Sequence, residues 1–117
     1  MKKIVVVLSS EAKEAFDELN KKAVDSKIDA SILRSIKTKI EFIKTNPMYG
    51  DPVQKNLIPK EYVEKYGINN LFHVELAAFW RMDYTLKNNG NQIEIIAFVL
   101  NIFDHKKYNQ KYGYKNK

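Results

Sequence analysis

The spacing of apolar residues changes once along this chain, and that change limits the folds open to it. Between residues 11 and 45, apolar side chains recur at helical spacing in two stretches separated by a short turn. Residues 71–77, 79–87 and 92–103 are instead rich in β-branched and aromatic residues, which is typical of strands. A short apolar run at residues 3–8 predicts one further strand. The order β-α-α-β-β-β predicts an α+β fold whose helices and strands are separated along the sequence.

The ends of the predicted helices carry local signals. Ser9 or Ser10 can accept a hydrogen bond from the first turn of the first helix, and Asp29 is the expected cap of the second. The second helix should stop near Asn46, because the residue before a proline avoids helical backbone angles. Two amphipathic helices with a short link form a helical hairpin, so we expect the pair to cover one face of a sheet.

The connections between the later elements are also predictable. Residues 47–59, which contain all three prolines, predict a loop with a short extended piece at residues 54–58. Residues 60–66 predict a single helical turn. An Asn-Gly pair within residues 88–91 is typical of a tight hairpin, so the last two strands should pair antiparallel in a mostly antiparallel sheet.

Alternation along the strands divides the predicted sheet into two faces. The face that the helices should cover carries apolar side chains: Phe72, Val74, Leu76, Trp80, Met82, Tyr84 and Leu86. The opposite face carries polar side chains: His73, Glu75, Arg81, Asp83 and Thr85. In the last strand, Asn101 should share the face of Ile95, Ala97 and Val99. A two-layer domain leaves its second sheet face open, so this polar face is the candidate site.

Arg81 is the most informative residue of the polar face. The chain has 20 basic residues, and only Arg34 and Arg81 are arginines. A guanidinium presents a planar set of donors that binds phosphate or carboxylate at two points. The alternative is that Arg81 pairs with Glu75 or Asp83 across the strands and only stabilises the sheet. From the residues alone, both alternatives stand.

The net charge of +6 is concentrated at the C-terminal end. Residues 105–117 hold five lysines, three tyrosines and no acid, whereas residues 1–104 carry 15 bases and 14 acids. Basic residues interleaved with aromatic rings suit a nucleic acid, and a solvated tail is the alternative. We expect one domain over residues 1–117 with a basic, aromatic tail from residue 105 onward.

Composition also narrows the function classes. The chain has no cysteine, so thiol chemistry is excluded, and its two histidines predict no metal site and no cofactor. Its four glycines are too scattered for a nucleotide-binding loop. The apolar run at residues 3–8 is too short for a membrane span or a signal peptide. We therefore expect a cytoplasmic protein without a membrane partner.

In this order, the segments resemble the RelE/ParE toxin superfamily. The resemblance rests on the short first strand, the helical hairpin and the loop Asn-Pro-Met-Tyr-Gly-Asp-Pro-Val-Gln-Lys at residues 46–55. It rests equally on the strand Trp-Arg-Met-Asp-Tyr at residues 80–84 and on Asp-His-Lys-Lys-Tyr at residues 104–108. It covers essentially the whole chain in architecture and implies a RelE-like fold.

The resemblance implies the toxin of a type II toxin–antitoxin pair: a metal-independent endoribonuclease that cleaves mRNA at the ribosome and is neutralised by a separate, acidic antitoxin. Arg81 matches the family's strand arginine and would hold the phosphate. Lys55 matches a loop lysine that contacts RNA or acts in catalysis, and it is counted with the catalytic candidates. His105 would be the acid or base, and Tyr108 would stack on a base or assist proton transfer. The further candidates for RNA binding are basic residues of the loop, the polar face and the tail: Lys60, His73, Lys106, Lys107 and Lys111.

Two alternatives share this fold. ParE-type relatives inhibit DNA gyrase and need no nuclease residues, whereas a non-catalytic RNA- or protein-binding module would leave Arg81 structural. The chain also departs from several ribosome-dependent nucleases, which place an arginine near the end of the last strand where this chain has Lys106 and Lys107. The family assigns no role to His73 or Glu75. Fold similarity alone therefore does not establish cleavage.

Overall fold

The computed structural model describes residues 3–88, 90 and 94–104. In this part of the chain, five strands and three α-helices follow the order β1 (Lys3–Leu8), α1 (Ser10–Lys22), α2 (Lys27–Thr45), β2 (Asp51–Pro52), α3 (Lys60–Tyr66), β3 (Phe72–Glu75), β4 (Arg81–Asn88) and β5 (Glu94–Phe103). The predicted α+β order is confirmed. The short strand β2 is added to it, and the helical segment predicted at residues 60–66 forms α3 with the same bounds.

The five strands form one mixed sheet in the order β1-β5-β4-β3-β2. β1 pairs parallel with β5, and the other three pairs are antiparallel, so the predicted mostly antiparallel sheet is confirmed. The tight turn predicted within residues 88–91 lies partly outside the described residues. Gly90 has a φ of 69°, a left-handed angle that glycine adopts without steric cost.

Serine side chains cap both long helices. Ser9 Oγ accepts from the backbone N–H of Ala12 at 3.0 Å, as predicted. The cap of α2 is Ser26, whose Oγ accepts from the N–H of Asp29 at 3.2 Å, so the prediction of Asp29 as the cap is wrong. Asp29 lies in the first turn instead, where its charge complements the helix dipole. α2 ends at Thr45, directly before the Asn-Pro pair, as predicted.

The main hydrophobic core lies between α1, α2 and one face of the sheet. The helices contribute Ala12, Leu19, Ile32, Leu33, Ile36 and Ile43 to it. The sheet contributes Phe72, Val74, Leu76, Met82, Tyr84, Ala97, Val99 and Ile102. The predicted helix-covered face is therefore confirmed. Each large side chain buried here stabilises the fold by roughly 1.5–3 kcal/mol relative to its exposed state.

A β-bulge in β5 changes the faces near its C-terminal end. Asp83 lies opposite Asn101 and Tyr84 lies opposite Val99, so Leu100 is the extra residue. The bulge turns Asn101 to the face of Asp83, and the prediction that it shares the face of Val99 is wrong. A bulge leaves backbone groups without a ladder partner, and here Ser9 Oγ donates to the carbonyl of Leu100 at 2.7 Å.

The opposite face of the sheet is partly covered by α3. A second apolar cluster is formed there by Ile58, Tyr62, Ile68, Leu71 and Leu100. The prediction of an open face is wrong for Asp83 and Thr85, which are both fully buried. The reason is the spacing of Tyr62 and Tyr66, which gives this short helix an aromatic side that packs on β5. The rings of Tyr66 and Phe98 meet edge to face, with centroids 5.4 Å apart.

The loop after α2 is tied to the sheet by Tyr84. Its hydroxyl donates to the carbonyl of Pro47 at 2.8 Å and accepts from the N–H of Gly50 at 2.9 Å. A Cβ atom on Gly50 would lie 2.9 Å from the carbonyl oxygen of His73, so only glycine fits this approach. The extended piece is thus β2 at Asp51–Pro52, and the prediction of residues 54–58 is wrong because Lys55–Leu57 forms a 3-10 turn.

Candidate functional site

A row of polar residues crosses four strands on the face that α3 partly covers. Asp51 of β2 pairs with His73 of β3, His73 pairs with Asp83 of β4, and Asp83 pairs with Asn101 of β5. Residues directly opposite one another in a sheet project to the same side. We refer to Asp51, His73, Asp83 and Asn101 as the polar row. The strand alternation predicted His73 and Asp83 for this face, whereas Asn101 joins them only because of the bulge.

Asp83 is the centre of the polar row. Its Oδ2 accepts from the hydroxyl of Tyr62 at 2.7 Å, and its Oδ1 lies 2.6 Å from Nδ1 of His73. An ionised carboxylate only accepts hydrogen bonds, so Nδ1 of His73 carries the shared proton. Burial of a carboxylate is costly without such partners. Hydrogen bonds to a charged acceptor are about twice as strong as neutral ones, and two of them hold Asp83 in place.

Tyr62 keeps its proton in this environment. Burial, and after it the negative charge of Asp83, raises the pKa of Tyr62 far above its ordinary value, whereas a side-chain hydrogen bond with Asn101 acts in the opposite direction. The hydroxyl therefore remains a donor to Asp83 at all ordinary pH values. Sequence reasoning missed Tyr62 as a site residue. The signal was present in the one-turn spacing of Tyr62 and Tyr66, which indicates a packed helical side.

Arg81 lies beside the polar row and pairs with Glu75. Its Nη2 is 3.3 Å from Oε1 of Glu75, and its Nη1 donates to the carbonyl of Trp80 at 3.1 Å. The arginine side chain is 16% exposed, whereas that of Glu75 is 77% exposed. An ion pair with one partner so exposed contributes at most about 1 kcal/mol. The structural pairing considered from the sequence therefore exists, and its carboxylate partner is exposed to solvent.

A strained turn precedes Arg81. The predicted strands at residues 71–77 and 79–87 are shortened, because Ala77–Phe79 forms a 3-10 turn in which Ala78 and Phe79 have φ angles of 54° and 64°. Such angles cost a non-glycine residue of order 1–3 kcal/mol. The N–H of Ala77 donates to Ser35 Oγ of α2 at 3.1 Å, which helps to hold the turn. The turn presents Phe79, which is 73% exposed, two residues from Arg81.

A pocket of about 270 Å³ extends from Asp51 and His73 of the polar row to Glu75. It is lined by Lys39, Tyr49, Gly50, Asp51, His73, Val74 and Glu75. Nζ of Lys39 donates to the Tyr49 hydroxyl at 3.1 Å, so a cation is also part of the pocket lining. The pocket is polar and carries both signs of charge, which suits a ligand that has hydroxyl groups and a phosphate.

Lys55 and Lys60 follow the segment that leaves the sheet after β2. The N–H of Val53 donates to the carbonyl of Leu71 at 2.9 Å, so the chain leaves the sheet at the end of β3 away from Arg81. Both lysines are exposed. The remaining predicted residues, His105, Lys106, Lys107, Tyr108 and Lys111, lie outside the described part of the chain. β5 ends at Phe103, the register partner of Arg81.

Two kinds of feature are absent from residues 3–88, 90 and 94–104. No group of three or more histidine, aspartate or glutamate side chains there has an arrangement that could hold a metal ion. Among the helices α1, α2 and α3, none has both the length and the apolar character that crossing a bilayer requires.

Comparison with known proteins gives a fold relationship. No protein family and no curated protein matches the sequence. A solved structure described as a YoeB/ParE toxin from Agrobacterium tumefaciens is similar, with a TM-score of 0.57 and 16% sequence identity. The match covers 90% of this chain and 99% of that chain. Similarity at this identity shows a shared fold, so the predicted RelE-like fold is confirmed.

Proposed function

We propose that this chain, which has the fold of the RelE/ParE toxins, is the toxin of a type II toxin–antitoxin pair and cleaves mRNA without a metal ion. The observation that carries the proposal is the state of Arg81. Its guanidinium is held by the carbonyl of Trp80 and pairs with a carboxylate that solvent largely surrounds. A phosphate that replaces this carboxylate would receive two donors from one rigid group.

Cleavage of a phosphodiester bond in RNA needs three groups. A base takes the proton from the 2′-hydroxyl, whose oxygen then forms a bond to the neighbouring phosphorus. A fixed positive charge stabilises the crowded phosphorane. An acid protonates the 5′ oxygen as its bond to phosphorus breaks, which leaves a 2′,3′-cyclic phosphate and a 5′-hydroxyl end.

We assign the fixed charge to Arg81. His105 is proposed as the acid and Tyr108 as a residue that stacks on a base or assists proton transfer. The support is chain order, since residue 105 follows by two positions the residue that pairs with Arg81 in the sheet. The proposed contacts to RNA come from lysines of the loop and of the basic tail: Lys55, Lys60, Lys106, Lys107 and Lys111.

Phe79 is a further candidate for RNA contact. An exposed aromatic ring two residues from a phosphate-binding arginine can stack on a base of the bound strand. Base–aromatic stacking contributes about 1–3 kcal/mol per base. The strained backbone of Phe79 fits this role, because strain is retained where the surrounding structure and the function require it.

The proposed partner is an acidic antitoxin. The net charge of +6 favours a partner of opposite charge, which would cover the basic surface and speed association. A neighbouring reading frame that encodes a small acidic protein would support this partner. Co-purification of its product with the chain, lost at high salt, is the corresponding measurement.

The proposed function is tested by adding the purified protein to an in vitro translation mix and mapping mRNA ends by primer extension. We expect cuts in phase with codons. Arg81→Ala should reduce cleavage by about 10²–10³-fold, the usual cost of losing one donor to the transition state. The matched control is Arg34→Ala, which removes the other arginine from the exposed surface of α2 and should leave cleavage unchanged.

Other outcomes identify the alternatives. Full cleavage by Arg81→Ala would contradict the assignment of the phosphate site. Intact message together with blocked DNA supercoiling would identify a gyrase inhibitor. If both the message and supercoiling are unaffected, the chain is a binding module of the same fold, and Arg81 is structural.

A further inference from the structure

The imidazole of His73 is set in one orientation by Asp83. A neutral imidazole has one donor nitrogen and one acceptor nitrogen. Because Nδ1 shares its proton with Oδ1 of Asp83 at 2.6 Å, the nitrogen that can take up a proton is Nε2. The hydrogen bond thus decides which ring nitrogen acts as a base.

Asp83 is itself held in place from the other side. The hydroxyl of Tyr62 donates to its second oxygen at 2.7 Å, and Asn101 bonds in turn to Tyr62. Asp83 is fully buried and Tyr62 nearly so, so the supporting groups are shielded from water. A chain of partners that ends on a catalytic side chain keeps that side chain in one geometry before substrate arrives.

His73 and Arg81 lie within reach of one nucleotide. His73 pairs with Asp83 and Glu75 pairs with Arg81, so His73 and Arg81 are diagonal neighbours on adjacent strands. Diagonal neighbours on one face are about 7–8 Å apart, a span that long side chains bridge. The side chain of His73 is 18% exposed and lines the pocket of about 270 Å³ that extends to Glu75. Because Arg81 lies opposite Glu75 on the adjacent strand, a phosphate on Arg81 would bring its neighbouring ribose within reach of His73.

We propose that His73 is the general base of the RNA-cleaving site, with Asp83 and Tyr62 as positioning residues, an inference that rests on the function proposed above. Nε2 takes the proton of the 2′-hydroxyl while the 2′ oxygen bonds to the phosphorus held by Arg81. The bond from phosphorus to the 5′ oxygen breaks, and that oxygen receives a proton from the acid. Asp83 stabilises the imidazolium without taking its proton, and the imidazolium then releases the proton to water.

The surroundings of His73 contain charges of both signs. The titratable or charged groups that face it from the packed elements are Lys39, Tyr49, Asp51, Tyr62, Glu75, Arg81 and Asp83. A base acts in its unprotonated form, so a reaction that depends on this base should become faster as the pH rises.

The test is single-turnover cleavage of a programmed ribosome complex between about pH 5 and 8, where histidine titrates. His73→Gln should lower the rate by about 10²–10⁴-fold and remove the rise with pH. Added imidazole should restore part of the cleavage rate to His73→Gly, which a purely structural role would not permit.

Asp83→Asn should lower the cleavage rate by less than His73→Gln does, and it should shift the pH at which the rate rises. The reason is that an amide has one acceptor oxygen and one donor group, so it presents a donor to one of its two partners, Tyr62 or His73. Glu41→Gln, the same change from carboxylate to amide in an exposed ion pair of α2, is the control.

The outcomes separate the two proposals. Wild-type cleavage that Arg81→Ala abolishes but His73→Gln leaves unchanged in rate and pH profile would overturn His73 as the base and leave the nuclease function standing. Absence of cleavage by the wild-type protein would overturn both. If the His73 variants fail to fold, the wild-type protein still decides, using an RNA with a 2′-deoxy sugar at the cleaved position. The chain has two histidines, and imidazole NMR signals of His73 that do not move on binding this RNA would overturn the proposal.

Discussion

Met82 and Asp83 are neighbours on β4 and both are fully buried, but they lie on opposite faces of the sheet and have different surroundings. Met82 points into the core under α1 and α2, where contacts are apolar and non-directional. Asp83 points under α3, where two short hydrogen bonds define its position. Burial alone therefore does not distinguish the faces. The difference lies in what covers them, since an apolar layer gives stability and a polar network gives geometry.

The size of the covering elements explains the rest of the difference. α1 and α2 have 13 and 19 residues and cover their face of the sheet, whereas α3 has seven. α3 covers Asp83 and Thr85 but leaves Glu75 and part of His73 in contact with solvent. The same face thus combines rigid buried supports with side chains that a substrate can reach, which is what a preorganised site requires.

The largest expected effect is the loss of core packing on the helix side. Met82→Ala should lower the free energy of unfolding by about 2–5 kcal/mol, because it removes apolar contacts and leaves a cavity. Ile28→Ala, at a position that is 65% exposed, is the control and should stay within about 0.5 kcal/mol of the wild type. Urea denaturation followed by circular dichroism measures both. Equal costs for the two variants would show that this face is not the main core.

A smaller loss is expected from the polar network. Asp83→Ala should cost about 1–3 kcal/mol, since it leaves the donors of Tyr62 and His73 buried without their acceptor. A double-mutant cycle with Tyr62→Phe tests the network directly. The double variant should lose less than the sum of the single losses, with a coupling of about 0.5 kcal/mol or more. Strict additivity would mean that the two groups do not stabilise each other.

Tyr62→Phe should change how the free energy of unfolding depends on pH under alkaline conditions. Burial raises the pKa of Tyr62 in the folded state, and the charge of Asp83 adds to this, so the unfolded chain ionises first, near the ordinary value of 10.0. The stability that the neutral phenol contributes is complete below about pH 10 and falls as the pH rises further. Above about pH 10, the free energy of unfolding of Tyr62→Phe should therefore fall less steeply with pH than that of the wild type. The two slopes should differ by about 1.4 kcal/mol per pH unit.

Unfolding midpoints measured from neutral to alkaline pH provide the test of this slope. Tyr49→Phe is the control, because its ring is half-exposed and its hydroxyl is bonded to Lys39 rather than to a buried carboxylate. Burial also raises the pKa of Tyr84, so part of the alkaline loss should persist in Tyr62→Phe. Identical slopes for Tyr62→Phe and the wild type would contradict the assigned role of the Tyr62 hydroxyl.

The smallest effect on stability is expected where the polar face meets solvent. Glu75→Gln should change the free energy of unfolding by less than about 1 kcal/mol, because an exposed ion pair is screened by water and salt. The same change should strengthen binding of RNA, because a phosphate then no longer has to displace a carboxylate from the guanidinium of Arg81. Filter binding at two salt concentrations measures the affinity, and weaker binding by Glu75→Gln would contradict this account of the pair.

Much of the fold was predictable from the sequence. The two helices, the three strands of the meander and the apolar face under the helices follow from periodicity, and the end of α2 follows from Pro47. The strand alternation also predicted that His73, Arg81 and Asp83 share one face. These features depend on contacts between residues close in sequence, where spacing alone decides which side chains project together.

Two of the errors arise where distant segments meet, and the third is a local choice between two capping residues. The bulge at Leu100 moves Asn101 to the other face, and no residue type near it signals the extra position. The cap of α2 is Ser26 rather than Asp29, although both residue types favour caps, because the helix begins one turn earlier. The covering of Asp83 by Tyr62 requires α3 to lie on β5, and this packing joins residues far apart in the chain.

The sequence by itself determined the elements of this protein and the faces of its strands, because backbone geometry translates residue spacing into direction. It also contains only two arginines, of which Arg81 lies in a predicted strand. Only the tertiary structure decided that Arg81 pairs with exposed Glu75 while Asp83 is bonded to His73 and Tyr62. The physical reason is that partner choice depends on register, on a one-residue bulge and on the helix that removes water from Asp83.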